Sequence, residues 1–163
     1  MIWSNAHVLV IETLCAQAQR GDLARAIAVG LQNAKVATAL DPHPWLTGGF
    51  WLRDVRDAEE RAWLYELLAQ PNDSRLESRE AVVVEVGGRG SARTAAVAAD
   101  ALAVALCPDE SHDGPCDIPW STTSFSLRSM RSADRRRYRQ LFPLSHRSTR
   151  LPQTDGGLTR TPA

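Results

Sequence analysis

The sequence predicts an α+β fold, predominantly helical. An antiparallel helix pair and a third amphipathic helix stand beside one βα unit, a short second strand and a basic C-terminal helix. Three observations predict it. Leu23, Ile27, Leu31, Ala34 and Thr38 recur at helical spacing. "RDVRDAEERAWLYELLAQP" separates apolar from charged positions with the same period. "AVVVEV", rich in β-branched residues, precedes Gly87-Gly88 and then an alanine-rich run, which is the signature of strand, turn and helix.

The elements follow in order. Ser4 is placed to cap a first helix running to about Arg20, with Gly21 as its stop. The apolar opening has no basic residues before it, runs into Glu12 and offers no small-residue cleavage site, so it reads as a core helix rather than a secretory signal. Asp22 caps the second helix, and so short a joint folds the two back as an antiparallel pair. "PHPWLTGGFWL" then reads as a turn, with Trp45, Phe50 and Trp51 plugging the base of the core.

The third helix spans about residues 54–69, with Val55, Ala62, Trp63 and Leu67 inward and Asp57, Glu59, Glu60 and Arg61 in water. Val82, Val83, Val84 and Val86 give the strand, although a helix from Ser74 with Glu77 closing a capping box is the competing reading. The alanine-rich helix runs from about Ser91 to Leu106 and suits close packing on a neighbour. "PDESHDGPCDI" reads as an acidic surface loop. "WSTTSFSL" reads as the second strand, with the valine strand as its expected partner. A single compact domain over 1–143 is expected, with 144–163 a disordered tail of Arg, Ser, Thr and Pro.

Composition bounds the function. Hydrophobic residues make up 44% of the 163, a globular share, and no run approaches the ~18–20 apolar residues of a membrane span. Three cysteines, an odd number at irregular spacing, favour reduced thiols and a cytoplasmic location. The formal net charge of zero conceals a division. Residues 1–127 hold ten basic against 17 acidic residues, a balance of −7, while residues 128–163 hold nine arginines against two aspartates, a balance of +7.

Three candidate sites emerge. The basic face is Arg128, Arg131, Arg135, Arg136 and Arg139. If the last helix begins near Leu127, then Arg128, Arg131, Arg135 and Arg139 form a stripe beside an apolar row of Leu127, Met130, Tyr138 and Leu141. If it begins at Ser132 the stripe is shorter. Like charges on one stripe repel, and an acidic partner or a phosphate backbone would turn that repulsion into attraction. The second candidate is an anion site at Gly88, Arg89, Gly90, Ser91 and Arg93, where a glycine turn opens a helix. It lacks both the P-loop ending and the dinucleotide fingerprint, and a tight turn accounts for its glycines.

The third is Cys107, His112 and Cys116, whose ligand types suit zinc. No fourth ligand is singled out, and a helix-terminal cysteine with two loop residues is the simpler account, so no metal or other cofactor is expected. His7, His43, His112 and His146 accompany no nucleophile elbow or metalloprotease motif, and no catalytic residue is assigned. The leading expectation is a non-enzymatic binding or adaptor protein whose arginines dock on an acidic protein, on its own acidic body or on a second copy. Nucleic-acid binding through the same arginines is the first alternative. A small enzyme holding an anionic substrate at the Gly87–Arg93 turn is the second.

Overall fold

The computed structural model describes residues 5–108 and 116–142. The elements are β1 (Ala6–Cys15), α1 (Arg20–Ala37), β2 (Leu46–Asp54), α2 (Ala58–Leu68), β3 (Glu80–Arg89), α3 (Ala92–Leu106), β4 (Trp120–Ser126) and α4 (Ser132–Arg137), the last continuing as a 3-10 turn over Tyr138–Leu141. The strands form one sheet in the order β2-β3-β1-β4, every neighbouring pair antiparallel. The order of elements is the β-α-β-β-α-β of the split βαβ arrangement with α2 inserted between β2 and β3 and α4 added after β4. The fold is α+β, but not predominantly helical: among the described residues helix accounts for 46% and strand for 27%.

The expected antiparallel helix pair is the main correction. Its first member is a central strand, β1, bonded to β3 on one side and β4 on the other. Leu9, Ile11 and Cys15 are buried on one face, and Ala6, Val8 and Leu14 on the other. A strand covered on both faces shows a continuous apolar run instead of alternation, and that run is indistinguishable by period from a buried helix. Gly21 stops nothing. It lies inside the first turn of α1, and no atom lies within 4 Å of where its Cβ would stand.

A second correction concerns "LTGGFWLRD", expected as part of a turn and found as edge strand β2 with a register shift between Thr47 and Gly49. Trp45 just before it is fully buried, as the plug reading expected, and its backbone N–H donates to Thr38 Oγ1 at 2.9 Å. The third correction is in α2. Leu64 and Leu68 face inward, while Trp63 and Leu67 are about half exposed. Asp57 caps this helix, its Oδ1 accepting the Glu60 N–H at 2.8 Å.

The valine segment is strand, and it continues through Gly87-Gly88 to Arg89 instead of ending at the glycines. Ser91 caps α3 through its Oγ, which accepts the Thr94 N–H at 3.1 Å. α3 packs on α1 as its small side chains suggest. A Cβ on Gly30 would stand 2.9 Å from Leu102 Cα, so the two backbones meet only because that residue is glycine. β4 is the expected second strand, but its partner is β1, not the valine strand.

Both sheet faces are covered. α1 and α3 close a core of Leu9, Ile11, Leu23, Ile27, Trp45, Val84 and Leu102. On the opposite face α2 covers one end, around Leu14, Val83, Leu64 and Leu68. The C-terminal segment covers the other end, around Ala6, Val8, Tyr138, Leu141 and Phe142. The expected tail over 144–163 lies outside the described residues.

Candidate binding surface

The C-terminal segment behaves as a strap across the sheet. It leaves β4 with Leu127 fully buried and its N–H donating to Ala6 O at 2.9 Å. It then returns through α4 and seats Tyr138, Leu141 and Phe142 against β1 and β3. The seat is cut by glycine: a Cβ on Gly87 would lie 2.5 Å from Leu141 Cβ and 3.0 Å from its carbonyl oxygen. Gly48 on β2 meets the same carbonyl.

Beneath the strap lies Glu85, in the middle of β3, with only 3% of its side chain exposed. A carboxylate so placed must be partnered. Arg137 forms an ion pair with Oε1, the Trp51 indole N–H donates to Oε2, and the Tyr138 hydroxyl lies 3.4 Å from Oε1. Trp51 and Val10 are the cross-strand neighbours of Glu85, so the indole arrives from β2 by register. Burial first, then the Glu85 charge, push the Tyr138 phenol above its ordinary value.

The next row holds a second pair. Arg53 on β2 reaches Glu60 on α2 through two bonds, Nη2 to Oε1 at 2.7 Å and Nη1 to Oε2 at 3.2 Å. These bonds hold the Glu60 carboxyl below the usual range against the opposing effect of burial. Glu12 on β1 goes the other way, raised by burial and then by the Glu60 charge.

Of the expected basic face, Arg128, Arg131, Arg136 and Arg139 are exposed, and Arg135 is half-buried. The helix begins at Ser132, and Arg131 precedes it in extended conformation. The long stripe from Arg128 to Arg139 therefore does not form as a helical row. The apolar row does come together, since Leu127, Met130, Tyr138 and Leu141 share one cluster. Arg137, omitted from the expected face, is the arginine that turns inward. The signal that could have found it was the lone Glu85 inside a valine strand, an acid that demands a buried partner.

At the expected anion site, Gly88 lies under the Trp45 ring and Gly90 against Thr94 Oγ1. Arg89 ends β3, the Ser91 hydroxyl serves as the cap, and the exposed Arg93 approaches Asp41 at 4.0 Å. Packing thus accounts for both glycines. Of the metal candidates, Cys107 and Cys116 are half-buried and His112 lies outside the described residues. Among the described residues no group of three or more His, Cys, Asp or Glu side chains could hold a metal ion.

Comparison with family models, curated proteins and solved structures finds no match.

One buried pair escaped the sequence reading altogether. Arg79, 2% exposed, places Nε 2.9 Å from Asp73 Oδ2 and donates to the carbonyls of Leu14, Cys116 and Asp117 at 2.6–3.1 Å. It stitches the end of β1 to two loops. Burial alone would raise the Asp73 carboxyl. Hydrogen bonds from the Arg75 backbone and side chain, with the charges of Arg79 and Arg75, instead carry it below its usual range. Among the described residues no helix is long and apolar enough to cross a membrane.

Proposed function

We propose that this chain is a non-enzymatic binding or adaptor protein of the cytoplasm that docks through its C-terminal arginines on an acidic protein surface. The observation that carries the reading is the division within the strap. Arg137 meets the buried Glu85, and Tyr138, Leu141 and Phe142 meet the sheet. Arg128, Arg131, Arg136 and Arg139 stay exposed, and no ion pair engages them among the described residues. A segment fastened at its apolar side presents those guanidinium groups with less ordering cost than a loose tail would. Phe125, 41% exposed on the neighbouring edge strand, supplies the aromatic neighbour that protein interfaces favour beside arginine.

Nucleic-acid binding is the second reading, favoured by the match between exposed guanidinium groups and phosphate. The −7 balance of residues 1–127 weighs against it. One experiment separates the two. Labelled poly-glutamate, duplex DNA and RNA are titrated with the full chain and with a variant carrying Arg128→Glu, Arg131→Glu, Arg136→Glu and Arg139→Glu, at about 50 and about 200 mM salt. Retention of poly-glutamate by the full chain alone is the expected result. Equal binding by both chains overturns the proposal, and tight, steeply salt-dependent retardation of DNA or RNA without poly-glutamate binding replaces it with the second reading.

A further inference from the structure

On the helix side of the sheet, away from the arginines, an open groove of about 460 Å3 lies between α1 and β2. This volume falls within the usual range of binding clefts, about 300–1,000 Å3. Half-buried Phe50 gives it an apolar floor above the buried Leu31 and Trp45, and Gln32, Lys35 and Leu46 stand exposed at its rim. Lys35 is the only lysine in a chain that otherwise uses arginine.

One wall of the groove is a sheet edge, interrupted by the register shift between Thr47 and Gly49 and regular from Gly49 to Asp54. β2 bonds to β3 alone, so the backbone N–H and C=O groups of every second residue point away from the sheet. Among the described residues no backbone hydrogen bond reaches that outer side between Leu46 and Asp54. No lysine or proline blunts the edge from Leu46 to Leu52, although strand edges commonly carry such residues. Leu46, 57% exposed, keeps the rim apolar.

We propose that this groove is a second binding site, taking an extended peptide segment that adds to β2 as a fifth strand. Every second side chain of the peptide drops between α1 and β2. Those side chains are apolar over Phe50 and Leu46, and one is an aspartate or glutamate that meets Lys35. The backbone edge supplies affinity and the groove supplies side-chain selection, the division of roles typical of strand addition. A helix-lined edge with a single cation favours this occupant over a flat second copy. A second copy offers another Lys35 and no acid in its own groove lining, whereas a peptide can carry the acid that meets Lys35.

The test uses the full chain and a labelled heptapeptide in which threonine alternates with valine and one valine-phase position is glutamate. Fluorescence polarisation should show saturable binding. Methylating the backbone nitrogens of the phase that faces β2 should abolish it, while methylating the other phase should not. Lys35→Glu, at an exposed position in the last turn of α1, should leave the chain folded with a small drop in melting temperature, weaken this peptide about tenfold and favour the matching lysine peptide. Absence of saturable binding up to about 1 mM overturns the proposal. So does indifference to Lys35→Glu or to both methylation patterns, and so does sedimentation showing a second copy already paired on β2.

Discussion

Glu85 and Arg137 are unequal partners, and the inequality makes a prediction. Glu85 is 3% exposed at its side chain and Arg137 is 49% exposed. Removing the acid frees a guanidinium that can turn to water. Removing the arginine leaves a buried carboxylate with only the Trp51 and Tyr138 donors. Arg137→Ala should therefore cost about 2–3 kcal/mol and Glu85→Gln about 1 kcal/mol, the half-exposed arginine discounting any larger estimate. Arg137→Ala combined with Glu85→Gln should lose less than the two changes summed. Urea unfolding of the four chains measures this, and a larger loss for Glu85→Gln would refute the assignment. Asp73 gives a second prediction at this scale. Its folded pKa is depressed, so its stabilisation is present above the unfolded value, near 4, and is lost as pH falls through the folded value. Glu60 acts in the same direction, whereas raised Glu12 opposes them by favouring the folded state when protonated. Asp73→Asn should lower stability at pH 7 and flatten the fall in melting temperature below about pH 4. An unchanged acid limb would show that Asp73 carries no charge linkage.

At the scale of the element, the strap and the sheet fit because of Gly87. Gly87→Ala places a methyl within contact of Leu141 and Phe142, so the strap must lift at a cost of about 1–3 kcal/mol. Hydrogen exchange should then rise across residues 127–142 while α1 and α3 stay protected; unchanged exchange there would contradict the packing. The same glycine shows why some elements were legible and others were not. α2, β3, α3 and β4 were visible because each carries a local mark: an amphipathic period, a valine run, an alanine-rich run, an alternating Ser/Thr strand. β1 was hidden because burial on two faces erases alternation. β2 was hidden because Gly48 and Gly49 look like a turn, when Gly48 is there to admit Leu141 from a segment more than 90 residues away. Long-range packing of this kind leaves no local period.

At the scale of the whole molecule, the charge division visible in the sequence resolves into two kinds of arginine. The composition located the +7 segment, but only the sheet's second face decides that Arg137 belongs to the fold and that Arg128, Arg131, Arg136 and Arg139 do not. The four-fold Arg→Glu variant tests this without any partner. Each exchange removes two units of charge, taking the formal net charge from zero to −8. If those arginines serve a partner, the fold loses only their diffuse attraction to an acidic body, roughly 1 kcal/mol or less in total. That loss should fade as salt shortens the screening length to about 8 Å. Solubility should improve near the native isoelectric point of about 6.9, where the parent chain is least charged. Calorimetry at low and physiological salt reads the outcome. A destabilisation as large as that of Arg137→Ala, persisting at physiological salt, would mean that the arginines face their own domain, and the surface would then be part of the fold rather than a docking site.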